Sequence, residues 1–273
     1  MQGADVESLF TAAVLGLVEG LTEFLPISSS GHLVIASSLL GFDGPKASTF
    51  GVVIQVGAIL AVLALYWKRF YGLLRPNPDS AFSGMRGIIL LILTTLPGAL
   101  LGLILHSFIK SLFTPVTVAM ALVAGALLML AVEKKMDMSC SKPATANLDQ
   151  LTMKQALGIG LFQCLALWPG FSRSASTIMG GMLLGVRRET AAEYSFIAAV
   201  PIITGAAGYD LIKSLSLFNT ANIPFFLVGS AVAFISAIVA MRSFIALLKH
   251  NTLRPFAFYR LFLAVPVYWF MVS

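Results

Sequence analysis

Charge is scarce in this chain. Asp, Glu, Lys and Arg make up 11% of its 273 residues, against 58% that are hydrophobic. Soluble domains carry about 25% charged residues, so an ordinary water-exposed surface is excluded. Alternation is lacking too: apolar residues come in unbroken runs rather than at every second position, which excludes a transmembrane barrel and leaves helices. Cysteine is nearly absent. Cys140 and Cys164 cannot build a disulfide framework and their spacing fits no metal motif; Cys140 falls in a polar loop, Cys164 in an apolar helix, and neither is assigned a role. A basic lead-in is missing as well. Met1 to Phe10 carries Asp5 and Glu7 where a cleaved signal would carry Lys or Arg, so the expectation is an uncleaved chain. The net charge of +6 comes from Lys and Arg gathered in a few loops, a pattern for orienting helices and touching membrane lipid rather than for gripping nucleic acid. The expected class is an all-α polytopic membrane protein, folded as one integral membrane domain over residues 1–273.

What is present in abundance is apolar sequence of spanning length. Runs at about 50–67, 87–105, 116–132, 191–211, 223–241 and 254–271 are each long enough to cross roughly 30 Å of hydrocarbon at about 1.5 Å per residue. Two more apolar regions, about 8–41 and 154–186, are broken in the middle by Pro, Gly and Ser. Each half is too short to span, so both are expected as re-entrant helix–loop–helix hairpins. Irregular backbone at that depth is tolerated only where protein or a water-filled cavity surrounds it. Lys68, Arg69, Arg75 and Arg86 follow the first span; Lys134, Lys135, Lys142 and Lys154 follow the third; Arg242, Lys249 and Arg254 follow the fifth. The loops at about 42–49, 106–115 and 212–222 are poor in Lys and Arg. The positive-inside rule puts the basic loops in the cytoplasm and both termini outside.

A shift of 144 residues lays Gly16-Leu17-Val18-Glu19 on Gly160-Leu161-Phe162-Gln163, Ser28-Ser29-Ser30 on Ser172-Arg173-Ser174, and Leu39-Leu40-Gly41 on Leu183-Leu184-Gly185. With the loop charges, this predicts an inverted-topology repeat: about 8–132 and 154–271, joined by a cytoplasmic loop at 133–153. In such folds the broken helices of the two halves meet near the midplane to build the site.

The polar residues concentrate at those breaks. Glu19 and Glu23 stand four apart, so on a helix they share one face. Two carboxylates there repel unless a cation lies between them, and hard oxygen ligands point to Mg²⁺ or Ca²⁺; the alternative is one protonated Glu bonded to its neighbour. After Pro26, Ser28-Ser29-Ser30-Gly31 leads into a helix beginning near His32. Backbone N–H groups at such a start cradle anions and Ser28, Ser29 and Ser30 add donors, whereas plain capping accounts for one serine only. His32 faces the same loop as a candidate proton carrier or nucleophile. The second break contributes Ser172, Arg173, Ser174 and Thr177, an arginine flanked by hydroxyls at a helix start, suited to bidentate grip on phosphate. Gln55 either lines the cavity or bonds a neighbouring helix. Arg187 and Arg188 read as ordinary cytoplasmic charges, and Asp210 as lying near the outer interface. Two carboxylates, a hydroxyl–imidazole pair and a deep arginine together suit phosphoryl transfer on a lipid-borne phosphate.

The segments Glu-Gly-Leu-Thr-Glu-Phe-Leu-Pro-Ile-Ser-Ser-Ser-Gly-His (19–32) and Leu-Trp-Pro-Gly-Phe-Ser-Arg-Ser (167–174) resemble the two signatures of bacterial undecaprenyl-diphosphatases, the bacitracin-resistance family. The resemblance extends over essentially the whole chain. It implies hydrolysis of undecaprenyl diphosphate to undecaprenyl phosphate and phosphate, recycling the lipid carrier of peptidoglycan synthesis in the inner membrane, and a homodimeric assembly; the loop charges make the first hairpin enter from outside, so the site is expected to open to the outer face. It implies catalytic roles for Glu19, Glu23, Ser29, His32 and Arg173, a metal on the glutamates, and departs only at Ser30, where many members have Thr. Ser29 is the expected nucleophile, with His32 or a glutamate taking its proton; direct attack by His32 or by water are the alternatives. The competing class is a transporter or flippase for an anionic lipid phosphate, since inverted repeats with broken helices are common there.

Overall fold

The computed structural model describes residues 6–42, 44–138, 144–213 and 223–272. Asp5, Cys140, Lys142 and residues 214–222 of the third sparse loop lie outside them. The described chain is helical: α1 (Val6–Thr22), α2 (Ser29–Leu39), α3 (Pro45–Leu65), α4 (Trp67–Leu74), α5 (Gly84–Ile104), α6 (His106–Ser111), α7 (Pro115–Met138), α8 (Met153–Gln163), α9 (Arg173–Leu183), α10 (Arg188–Lys213), α11 (Ile223–Leu248) and α12 (Arg254–Val272). Five of these, α5, α7, α10, α11 and α12, are long and apolar enough to cross a membrane, whereas α3 and α4, bent by 78° to one another, reach that length and hydropathy only as a pair. The protein is therefore a multi-pass helical membrane protein. The bend at Tyr66 ends the first expected span one residue short of Trp67. It turns α4 aside, with Trp67, Tyr71 and Leu74 exposed along one stripe and cationic residues beside them, as an interfacial helix requires.

Both apolar regions expected to break do so. α1 stops at Thr22, whose hydroxyl donates back to the Val18 carbonyl at 2.7 Å. That is a turn earlier than Pro26, because the proline ring excludes helical backbone at Leu25 and residues 23–27 form turns instead. In the second region α8 tightens into a 3-10 turn at Cys164–Leu167 before the loop that precedes α9. Among the described residues only two non-glycine positions have positive φ, Ser28 at 72° and Ser172 at 76°. They are 144 residues apart and each immediately precedes a helix. Such backbone costs of order 1–3 kcal/mol per residue, and it lets the chain turn sharply into α2 and α9.

Packing follows the same offset. α1 lies along α11 as α8 lies along α5, α2 touches α12 as α9 touches α7, and α3 meets α11 as α10 meets α5. Each hairpin is thus docked on helices of the other half. The α1–α11 contact is close enough that a Cβ on Gly16 would lie 2.2 Å from the Gly229 carbonyl oxygen, which is how small residues let membrane helices approach.

Arg260, six residues into α12, pins the centre. It is fully buried, and its guanidinium donates to the carbonyls of Ala121 and Leu122 on α7, of Pro26 in the first hairpin loop and of Gly170 in the second, at 3.2–3.4 Å. Glycine at 125 leaves it room, since a Cβ there would stand 2.2 Å from Nη2. Arg260→Ala orphans the loop carbonyls of Pro26 and Gly170, and buried unsatisfied groups cost about 1–3 kcal/mol each. The expected result is a loss of roughly 2–5 kcal/mol, seen as a lower midpoint of thermal unfolding in detergent. A midpoint equal to wild type would remove Arg260 as the pin.

The sequence reading of Arg188 as a plain cytoplasmic charge needs correction. Its guanidinium meets Glu133 with two bonds, 2.9 and 2.5 Å, and the Glu133 side chain is fully buried. Glu133 also accepts from the Leu253 N–H at 2.7 Å, so the pair joins α7, α10 and the start of α12. Arg187, by contrast, is half-exposed beside Glu189. Between α4 and α8, Asp149 gathers the Phe82 N–H and Ser80 hydroxyl, both at 2.7 Å, and Arg69 at 3.2 Å. Burial pushes its carboxyl up, but those donors and the Arg69 charge outweigh it and hold it below its ordinary value.

Candidate active site

The two hairpin loops meet in a polar cavity of about 230 Å³, whose lining includes Glu23, Ser28, Ser29, Ser30 and Gln55 from the first half and Ser172 and Arg173 from the second. Ser29 and Arg173 are the first residues of α2 and α9, so two helix N-termini reach one cavity, the arrangement that favours an anion. Glu23 stands at the junction. Its Oε2 accepts from the Ser29 hydroxyl at 2.7 Å, and its Oε1 lies 3.3 Å from Nη2 of Arg173. Arg173 is fastened from behind: Nη1 donates to the carbonyl and hydroxyl oxygens of Ser195 at 2.9 and 3.2 Å. Its Nε is buried with no protein partner, leaving a donor free for a ligand.

Not every expected residue enters this cavity. Ser174 is fully buried and donates to the Leu25 carbonyl at 2.7 Å, tying the second loop to the first. Thr177 is also buried and shares a 2.7 Å hydrogen bond with Ser195, so it steadies the residue that steadies Arg173. His32 is turned away. Its Nδ1 lies 2.8 Å from the Ser28 carbonyl; a carbonyl only accepts, so Nδ1 carries a proton there, and Nε2 shares a 2.7 Å hydrogen bond with the Tyr259 hydroxyl. Both ring nitrogens are engaged, and His32 faces a separate apolar groove. Gln55 takes the cavity-lining alternative. Cys164 sits at the tightened end of α8, apart from these residues.

Glu19 lies 1% exposed with neither carboxylate oxygen bonded to any protein group. It lines an adjoining groove that shares Ser29, Ser30 and Gln55 with the polar cavity. Among the described residues no three of His, Cys, Asp and Glu close on one point. A cation here would have Glu19 and Glu23 as its protein ligands and draw the rest from water and substrate oxygens, which is how Mg²⁺ is commonly held. An orphaned buried carboxylate beside a second one fits that ion.

The residues that sequence reasoning passed over are Ser195, Tyr259 and Arg260. Arg260 carried a signal, because an arginine inside an apolar span needs a partner or a purpose. Ser195 and Tyr259 are unremarkable in sequence, and their roles depend on contacts formed between distant segments.

Fold and site together define a class: a polytopic helical membrane protein whose broken helices enclose an arginine, a carboxylate and hydroxyls suited to a phosphate group. Residues 12–266 match the family model described as bacitracin resistance protein BacA, and the chain belongs to that family. It is 61% identical over 269 residues to the undecaprenyl-diphosphatase of Desulfovibrio desulfuricans, covering 98% of this chain and 100% of that protein. It is 62% identical over 267 residues to the undecaprenyl-diphosphatase of Nitratidesulfovibrio vulgaris, covering 97% and 99%. With the protein of that name from Lawsonia intracellularis the identity is 53% over 260 residues, covering 95% and 97%.

Proposed function

We propose that this protein hydrolyses undecaprenyl diphosphate to undecaprenyl phosphate and phosphate, recycling the lipid carrier of cell-wall synthesis and so opposing bacitracin. The observation that carries the chemistry is the Ser29–Glu23–Arg173 chain of contacts, 2.7 and 3.3 Å long, drawn from both hairpins. Glu23 is hydrogen-bonded to the hydroxyl it would deprotonate, the geometry of a general base with its nucleophile. Arg173 and the α2 and α9 N-termini bind the terminal phosphoryl oxygens and stabilise the charge of the transition state. Ser29 Oγ bonds to the terminal phosphorus as the bridging P–O bond breaks. Its proton passes to Glu23 and the electron pair leaves with undecaprenyl phosphate. Glu23 gives that proton to the departing lipid phosphate, then takes one from the water that attacks the phosphoserine and hands it to Ser29 Oγ as the Oγ–P bond breaks and phosphate departs. His32 takes no proton in this scheme, because Tyr259 and the Ser28 carbonyl occupy its ring.

Glu19 and Glu23 would hold Mg²⁺ or Ca²⁺, which supplies charge neutralisation on the diphosphate oxygens. The setting we infer is the bacterial inner membrane, with the two halves as inverted copies, basic loops in the cytoplasm and the site open to the outer face. A homodimer is the assembly proposed. A transporter of lipid phosphate would need the arginine but not a serine held on a carboxylate.

The test is phosphate release from a long-chain polyprenyl diphosphate by the detergent-purified protein. Release is expected to fall to background in EDTA and to return with added Mg²⁺ or Ca²⁺. Release unaffected by chelation would exclude the metal, and a well-folded protein releasing none would overturn the phosphatase.

A further inference from the structure

The two hairpins differ in one respect that their 144-residue correspondence does not prepare for. In the second, α9 packs along α10, and residues 174 to 182 of α9 are all buried. In the first, the equivalent α2 and α3 make no comparable contact, and Gly31 is the one buried residue of α2. The space closed in one half is left open in the other as a groove of about 760 Å³.

Its walls follow helical periodicity. α2 presents Ser30, Leu33, Val34 and Ser37, and α3 presents Phe50, Gly51, Ile54 and Gln55, each set at the i, i+3, i+4 and i+7 or i, i+1, i+4 and i+5 positions of a single face. One end is polar, where Glu19, Ser29, Ser30 and Gln55 adjoin the Arg173 cavity, and Ser29, Ser30 and Gln55 belong to both spaces. Away from that end the walls are chiefly apolar. A groove polar at its junction with a phosphate site and apolar beyond it complements an amphiphile whose headgroup lies in that site.

We propose that the cleft between α2 and α3 seats the isoprenoid chain of the substrate, the units after the first lying against Val34, Phe50 and Gly51. This rests on the phosphatase reading for the identity of the chain and on the groove's continuity with the polar cavity for its position. The apolar groove beside His32 is not the seat, because it shares no lining residue with the Arg173 cavity.

Gly51 offers a clean test, since a Cβ built on it meets nothing within 4 Å. Gly51→Ala adds a methyl group to open space, whereas Gly51→Phe fills the groove about one helical turn from Gln55. With a long-chain polyprenyl diphosphate, Gly51→Phe is expected to raise KM at least tenfold. Gly51→Ala should stay within about twofold of wild type, and dimethylallyl diphosphate, with one isoprene unit, should be cleaved equally by all three. Binding of polyprenyl monophosphate, titrated without turnover, should weaken in Gly51→Phe in parallel with the KM change. Wild-type values in Gly51→Phe for both long-chain ligands would overturn the seat, as would equal losses on the long and one-unit substrates. Equal competition by a diacyl phospholipid would overturn its assignment to the isoprenoid chain. Should wild type bind the monophosphate in the groove yet release no phosphate, the phosphatase reading fails while the seat for a polyprenyl chain stands.

Discussion

Arg173→Ala is expected to lower phosphate release by roughly 10³-fold or more, the range seen when an arginine that stabilises a transferring phosphoryl group is removed. Two losses combine. The transition state loses its guanidinium, and Glu23, whose side chain is 7% exposed, loses its cationic partner. Arg173→Lys recovers little of this. A lysine keeps the charge, but it cannot hold Ser195 and Glu23 through separate nitrogens while presenting Nε to a ligand. Steady-state release measured on all three proteins checks the prediction, with lysine near alanine rather than near wild type. Thr177→Val should cause a smaller fall, because it loosens Ser195 rather than Arg173 itself. If Arg173→Lys retained most of the activity, Arg173 would act as a simple charge and the fork geometry would have no catalytic meaning.

Ser29→Ala is expected to be as damaging, and Glu23→Gln nearly so. The alanine variant lacks the oxygen that attacks, so turnover should fall roughly 10³-fold or more, as for nucleophiles that act in a unit with their base. Glu23→Gln keeps the shape and a hydrogen bond to Ser29 but cannot accept its proton, and general-base losses run about 10²–10⁴-fold. Rapid acid quenching of wild type with substrate labelled in its terminal phosphate should trap label on Ser29, and neither variant should trap any. Labelled phosphate formed by Ser29→Ala at the wild-type rate would transfer the attack to water.

Much of this site was legible in sequence, for definite physical reasons. Charged and hydroxyl side chains are so disfavoured inside an apolar hairpin that Glu19, Glu23, Ser29 and Arg173 stood out without any coordinates. The broken regions were legible because Pro26 and Pro169 stand with Gly and several Ser, whereas Pro97, Pro201 and Pro266, without such a serine cluster, leave their helices continuous. Direction was not. His32 follows Ser29 by three residues, yet its ring turns to Tyr259, 227 residues on, and no local pattern encodes that partner. Ser174 and Thr177 shared the composition of a phosphate loop but serve as ties within the protein, because a hydroxyl bonds carbonyls as readily as ligands. Arg188 looked like a loop charge, and only the fold brings buried Glu133 against it. The open groove beside α2 was equally hidden, since the two hairpins match in their turns and differ in what covers them.

The central claim is that the two hairpins build one reaction site through the Glu23–Arg173 contact. A double-mutant cycle tests it most directly, with phosphate release from polyprenyl diphosphate measured for wild type, Glu23→Gln, Arg173→Ala and the double variant. Groups that act as a unit lose their effect together, so the double variant is expected to be no slower than the slower single one. Losses that multiply would mean the two residues act independently, and would contradict a single site made from both halves.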